Sequence, residues 1–367
     1  SIYYVQLISV PKPSLESIEI IDTELVKNYA YIRFTIKIHN AADEHVNVTV
    51  SIFGEDGNVL STSALLTPRT TNTIVLEGMY GHLFLVDGKY LVTVTGISTR
   101  TTKVICKGIE MFHGKVYVLS PYTLPNLVPN SLTKGGDIKD PSMVVKAISD
   151  IARKFGIPLR PLESLSEWKY VVENPPKNVI ILNPFGGILP IPPEYIDNPL
   201  EFIEKLGNNV RKYGWIWVHL TGYPFYYVSD GEKIIKVHKH GLGSFLFGNP
   251  HRNVVAGCGA YQTYQQTSNN DLRSWITNLG YKDIADKLLN RLRIHYSLNL
   301  KHIPNEWVLS TIYLNPGKSQ SGAIVLSIGE GLYIHWGSIK EPKHARLDDH
   351  ELGLLGMLTA LYIKTQG

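Results

Sequence analysis

Val179-Ile180-Ile181-Leu182 is an unbroken apolar run closed by Asn183-Pro184-Phe185-Gly186-Gly187, and it constrains the fold more than any other stretch. A strand apolar on both faces must be covered on both sides, which a parallel sheet flanked by helices provides. Downstream, Leu200, Phe202, Ile203, Leu206 and Val210 recur at helical spacing within Pro199 to Tyr213, and Gly214 ends the pattern. Trp215 to Leu220 reads as a second buried strand, with Thr221-Gly222-Tyr223-Pro224 as a sharp turn at its carboxyl end. Strand, helix and strand make one βαβ unit. In open α/β sheets ligands gather at the carboxyl edge, so both turns are the first places to look for chemistry.

The chain has 367 residues, about two domains at roughly 150 residues each. Its 44% hydrophobic and 19% charged residues are those of an ordinary globular protein. The formal charge of +4 comes from 36 basic and 32 acidic residues without a block of like sign, which argues against a nucleic-acid partner. No apolar run reaches the ~20 residues of a membrane span, and Ser1-Ile2-Tyr3-Tyr4 lacks the basic start of a secretory signal, so the expectation is a soluble chain, with room for a cleaved leader before Ser1. Cys106 and Cys258 form no CxxC pair, which excludes a thiolate zinc site or iron–sulfur cluster. They are either two small buried thiols or one disulfide joining the domains. No cofactor is expected.

The first hundred residues read as short strands. Ser1 to Val10 places apolar side chains on both alternating faces and therefore needs cover on both sides, from its own sandwich or from a neighbouring subunit. Pro11-Lys12-Pro13 separates it from the rest as a stiff joint. Tyr31 to Ile38 and Val46 to Phe53 alternate, Glu55-Asp56-Gly57-Asn58 is a hairpin turn signal, and Thr73 to Leu76 and Tyr90 to Thr95 supply further strands. The pattern predicts an antiparallel sandwich over residues 1–112. Asp87-Gly88-Lys89-Tyr90 and the strand to Thr95 resemble the corner and last strands of immunoglobulin-like adhesion modules, over roughly residues 15 to 110. The resemblance implies a spacer or contact surface without chemistry. Asn47-Val48-Thr49 fits the N-glycosylation pattern.

From His113-Gly114 onward the character changes to alternating β and α elements, over residues 113–367. Val116 to Leu119 reads as a strand, and Ser142 to Phe155 as an amphipathic helix with Asp140 as cap and Pro141 at its first position. After the βαβ unit come a hairpin over Tyr226 to His240, helices at Asp271 to Leu279 and Tyr281 to Leu292, and strands at Trp307 to Leu314 and Ala323 to Ile328. The strand Leu332 to His335 and a helix from His350 to Ile363 close the chain. The expected class is a multi-domain chain: an all-β immunoglobulin-like sandwich, then a doubly wound α/β domain. The segments Ile180 to Gly187, Trp217 to Tyr223 and Ala323 to Trp336 resemble the class I glutamine amidotransferase-like family. That family carries a cysteine nucleophile at the elbow and a later histidine that activates it. Here the elbow reads Leu220-Thr221-Gly222-Tyr223-Pro224 without cysteine, and His335 is left as a base with nothing to deprotonate.

The remaining candidates have plainer readings beside the chemical ones. Thr221 is a substitute nucleophile or a turn-stabilising residue, and Cys258 lies in the glycine-rich turn Gly257-Cys258-Gly259, where its thiol could be exposed. His238 and His240 alternate as on one strand face, a metal-seating spacing with His251 and His219 as further ligands, or are solvated histidines. Asp348 to Glu351 is the charged start of the last helix. Gly186, Gly187, Tyr223, Tyr226 and Trp336 are the expected binding residues of a cleft or interface at the carboxyl edge. The resulting expectation is a non-catalytic secreted or cell-surface protein that binds or assembles, through self-association or with another surface protein, such as a subunit of an extracellular filament or layer. The alternative is a secreted hydrolase of carbohydrate or amide bonds.

Overall fold

The computed structural model describes residues 18–27, 31–53, 59–79, 90–96, 100–105, 115–119, 138–155, 157–256, 262–267 and 271–366. Ser1 to Val10, the 55–58 turn, the Asp87-Gly88-Lys89 corner, Cys106 and Cys258 lie outside the described residues.

Among the described residues seven strands come first: β1 (Ile18–Lys27), β2 (Tyr31–Asn40), β3 (Val46–Phe53), β4 (Val59–Leu66), β5 (Thr70–Met79), β6 (Tyr90–Gly96) and β7 (Arg100–Ile105). They form a three-stranded sheet in the order β1-β2-β5 and a four-stranded sheet in the order β4-β3-β6-β7, all antiparallel. The period-2 pattern explains their burial. Phe34, Ile36 and Ile38 of β2 and Val48, Val50 and Ile52 of β3 are buried, while alternate residues such as Lys37 and Thr49 face out.

The second part opens with β8 (Lys115–Leu119), helix α1 (Pro141–Lys154), β9 (Leu159–Leu162), α2 (Leu165–Glu173), β10 (Val179–Leu182), β11 (Ile188–Pro190), α3 (Pro199–Tyr213) and β12 (Ile216–Leu220). The hairpin β13 (Tyr227–Ser229) and β14 (Ile234–Lys236), α4 (His240–Phe247), β15 (Val255–Ala256), β16 (Gln262–Gln266), α5 (Leu272–Asn278) and α6 (Lys282–Lys287) follow. The chain then runs through β17 (Arg291–His295), β18 (Ser297–Asn299), β19 (Val308–Leu314), β20 (Gln320–Ile328), β21 (Gly331–Trp336), β22 (Ser338–Glu341) and α7 (Asp349–Gln366).

The expected pairing of an immunoglobulin-like sandwich with a doubly wound α/β domain is overturned by this topology. The described chain is mostly β, and its largest unit is one twelve-stranded mixed sheet in the order β22-β17-β16-β19-β20-β21-β12-β10-β8-β9, with β15 and β18 attached beside it. Within that set only the run β9-β8-β10-β12-β21 is joined by parallel pairings. The other strands join antiparallel, through β20 beside β21. The reason lies in residues such as Arg291-Leu292-Arg293-Ile294, exposed and buried in turn, which suit an antiparallel strand with one wet face. A helix over Tyr281 to Leu292 was expected there; α6 ends at Lys287 instead, and β17 takes the alternating residues.

Within the parallel part the physical reasons match the sequence. Every residue of β10 and β12 is buried. Ile180, Leu182, Ile216 and Val218 pack in one cluster with Val144, Ala147, Ile148 and Ile151 of α1, while Ile181 and Trp217 pack in a second with Phe202, Ile203 and Leu206 of α3. The Asp140 carboxylate accepts from the Ser142 N–H, and Gly214 ends α3 in the left-handed region at φ 65°. Helix α7 is buried from Leu352 to Ile363 on every side, as a helix apolar all round must be. Its close approach depends on small residues: a Cβ on Gly353 would lie 2.8 Å from the Val144 carbonyl oxygen, and one on Gly356 would lie 2.7 Å from Leu220 Cδ2. Asp349 joins the starts of α7 and α1 by accepting from the Lys139 and Asp140 N–H groups. Among the described residues no helix is long and apolar enough to cross a membrane.

Candidate functional site

β12 and β21 pair in parallel, with His219 opposite His335 and Leu220 opposite Trp336. That register brings the turn after β12 alongside Ser338, two residues beyond β21. Thr221 turns with φ 54° and Gly222 with φ 78°. A β-branched residue in the left-handed region is a true outlier and persists only where its surroundings hold it. The holding contacts are present. The Thr221 N–H donates to the Trp336 carbonyl at 2.7 Å, its Oγ1 lies 2.5 Å from Ser338 Oγ, and the Gly222 N–H donates to the same Ser338 oxygen at 3.0 Å. The elbow is therefore closed over by Ser338. Thr221 is buried, and the N–H after it, the natural donor to a developing oxyanion, is already spent.

The two histidines are also committed. Their rings stack at 5.2 Å with planes 16° apart, both wholly enclosed. His335 Nε2 lies 2.5 Å from the Tyr296 carbonyl and must donate to it. A neutral imidazole has one N–H, so Nδ1 is left to accept from the Tyr333 hydroxyl at 3.2 Å. His219 Nε2 donates to the Gly222 carbonyl at 2.9 Å. Burial holds the pKa of His219 down to about 4, against the smaller opposing effect of that hydrogen bond. Burial, reinforced by His219 beside it, holds His335 down to about 3. Both rings are neutral at physiological pH, and both nitrogens of His335 are occupied.

Outside this closed layer lies an aromatic lip. Tyr223 and Tyr226 are 4.8 Å apart, Tyr226 and Tyr227 4.8 Å, Tyr226 and His238 5.0 Å, and Tyr223 and Tyr296 6.1 Å between ring centroids. Tyr223 is buried and donates to Asn253, whereas Tyr226, Tyr227 and Tyr296 are half-buried and His238 is exposed. Lys236 Nζ stands 5.1 Å from the Tyr226 ring centroid, and its pKa is raised by the Tyr226 hydroxyl. Four of the seven described non-glycine residues with positive φ border this place: Thr221, Phe225, His238 and Tyr296. Strain collected at one edge of a sheet marks a surface whose shape is held at a cost.

The other expected site residues fall elsewhere. Gly186 and Gly187 are buried in a turn sealed by Asn183, whose amide donates to the Ile188 carbonyl at 2.8 Å, so neither offers backbone to a ligand. Trp336 is core, its indole N–H donating to Thr359 Oγ1 at 3.0 Å. His238 and His240 do not share a strand face: His238 sits in a turn at φ 64° after β14, and His240 begins α4 with Nδ1 2.7 Å from the Pro250 carbonyl. His251 lies near His240, at 6.5 Å between rings. Among the described residues no group of three or more His, Cys, Asp or Glu could hold a metal ion. Asn47 is exposed on β3. Ser338, Tyr333 and Tyr296 were missed by sequence reasoning; only the parallel register of β12 with β21 would have pointed to Ser338. A cleft of about 670 Å³ between β16 and β19, lined by Gln266, Thr267, Leu309, Asn315 and Lys318 among others, contains none of the expected site residues.

No family model and no curated protein matches this chain. Among solved structures it is similar to a GH2 β-galacturonidase from Eisenbergiella tayi bound to galacturonate, at 12% identity, with a TM-score of 0.22, over 55% of this chain and 40% of that one. A β-glucuronidase from Bifidobacterium dentium aligns at 12% identity and a TM-score of 0.20, over 59% of this chain and 38% of that one. A β-glucosidase from Kluyveromyces marxianus aligns at 16% identity and a TM-score of 0.18, over 24% and 13%. The chain thus spans well under half the length of these proteins, and likeness this slight carries no argument about fold or activity.

Proposed function

We propose that this protein is a non-catalytic binding and assembly protein of the cell surface or extracellular space. The closed elbow is the observation that carries the reading: Ser338 bonds both the Thr221 hydroxyl and the Gly222 N–H, and both nitrogens of His335 are taken by Tyr296 and Tyr333. A hydrolase of amide bonds at this elbow needs an activated nucleophile and a vacant oxyanion donor. The absence of a cysteine at the elbow points the same way. Assembly is supported by Ser1 to Val10, whose two-faced apolar pattern calls for cover on both sides. Exposed Asn47 is the candidate glycan acceptor. The strained aromatic lip around Tyr226 supports a ligand-binding use of the carboxyl edge, with Tyr226 and Tyr227 as contacts in place of Gly186, Gly187 and Trp336. Light scattering across a concentration series tests the reading. Mass should rise with concentration; a strict monomer at every concentration contradicts self-association.

A further inference from the structure

We propose that β4 is the acceptor edge of this assembly and that its occupant is the Ser1 to Val10 segment of a second copy. The inference rests on the assembly reading above and names the surface that performs it.

A strand at the end of a sheet shows one row of backbone N–H and C=O groups to its surroundings, a template for any extended chain. Proteins blunt such edges with charge, proline, bulges or shortness. Nine strands end the described sheets: β1, β5, β4, β7, β22, β9, β11, β14 and β15, which pairs only with β18. Eight are blunted, β15 by its length of two residues. β1 carries Glu19, Asp22, Glu24 and Lys27 and a register break at Ile20/Asp22; β5 carries Glu77, β7 carries Arg100 and Lys103, and β22 carries Lys340 and Glu341. β9 holds Arg160 and Pro161, β11 ends in Pro190, and β14 is three residues long with Lys236. β4 has none of these devices. Val59-Leu60-Ser61-Thr62-Ser63-Ala64-Leu65-Leu66 has no charge, no proline and no glycine. It pairs residue by residue with β3, from Val46↔Leu66 to Phe53↔Val59, without a bulge, so its other edge is straight over eight residues. Leu65 on that strand is 57% exposed.

The occupant follows from complementarity. Ser-Ile-Tyr-Tyr-Val-Gln-Leu-Ile-Ser-Val, residues 1–10, also has no charged side chain, and its ten residues suffice for an eight-residue edge. Added beside β4, one of its faces would continue the inner side with Leu60, Ala64 and Leu66, and the other would cover Leu65. Pro11 and Pro13 carry no N–H, so the added strand ends there. Donation from one copy to the next is a head-to-tail contact, which extends into a filament where the rotation does not close.

The test uses light scattering on the full chain, on Ser63→Lys/Leu65→Lys and on a chain lacking residues 1–10, with anisotropy of a labelled 1–10 peptide. Both substituted positions are exposed, so the variant should keep its fold, and Leu65→Glu serves if it does not. The expected result is concentration-dependent growth for the full chain and monomers for both variants. The peptide should bind the truncated chain at least about tenfold more tightly than the lysine variant, the effect of losing two cross-strand pairs. Growth unchanged in the lysine variant overturns the edge assignment and leaves assembly standing. Growth that the lysines stop but truncation does not would mean β4 pairs with β4 of a second copy, and overturns the occupant. A full chain that stays monomeric and truncated protein that ignores the peptide overturn both this inference and the assembly reading.

Discussion

Acidification from pH 7 to pH 5 should remove a large part of the folding stability through two residues, His219 and His335. In the unfolded chain both titrate at their ordinary 6.5; in the fold burial holds them near about 4 and about 3. The sign follows from linkage. A depressed imidazole pKa means that the unfolded chain binds the proton first, so stability is whole above about 6.5 and falls as pH drops below it, until the folded pKa is reached. Each pH unit in that window costs about 1.4 kcal/mol per histidine. By pH 5 the loss is about 2 kcal/mol for each ring and about 4 kcal/mol for the pair, against a usual total of roughly 5–15 kcal/mol. Protonation also destroys specific contacts, because His335 Nδ1 can no longer accept from Tyr333 and two stacked cations would sit 5.2 Å apart. Urea unfolding at pH 7, 6 and 5 measures this directly, with His219→Gln as the control whose slope should be about halved. A midpoint that does not move between pH 7 and pH 5, or a slope identical in His219→Gln, refutes the reasoning.

Three further outcomes are expected. Ser338→Ala removes the oxygen that accepts from the buried Gly222 N–H and that meets the Thr221 hydroxyl, and should cost about 1–3 kcal/mol in denaturant unfolding without creating hydrolytic activity; an unchanged midpoint contradicts the role given to Ser338. Gly353→Ala drives a Cβ to 2.8 Å from the Val144 carbonyl and should destabilise by about 1–3 kcal/mol as α7 moves off α1, seen in thermal melts; an unaltered melt would mean the helices shift freely. Cys106 and Cys258, on the secreted reading, form a bridge, so intact mass after native alkylation should show no adduct; two alkylated thiols sink that pairing.

The parallel core was legible because its signals are local. Four consecutive apolar residues at Val179, the cap at Asp140 with Pro141, and the stop at Gly214 each state a requirement that neighbours in sequence can meet. In the continuation of the sheet β19 and β20 were legible as strands, but β17 was not, since Arg291 to His295 pairs with β16 and β22, which lie far away in sequence. The elbow divides the same way. Thr221-Gly222 was visible as a turn without a thiol, but its closure depends on Ser338, 116 residues from Gly222, and on Tyr296, whose carbonyl reaches His335 from 39 residues away. Gly186 and Gly187 misled because glycine marks both a turn open to a ligand and a turn sealed by its own asparagine. His238 and His240 misled because a spacing of two implies one face only while the strand lasts, and β14 ends at Lys236.

The most direct test of the closed elbow is turnover. Wild-type protein and Thr221→Ala are incubated with glutamine and with chromogenic amides, and released ammonia and chromophore are measured. A hydroxyl held by Ser338 under an N–H that is already spent, beside a histidine with no nitrogen to offer, predicts release no greater than buffer for both proteins. Release by the wild type that Thr221→Ala abolishes would contradict the account.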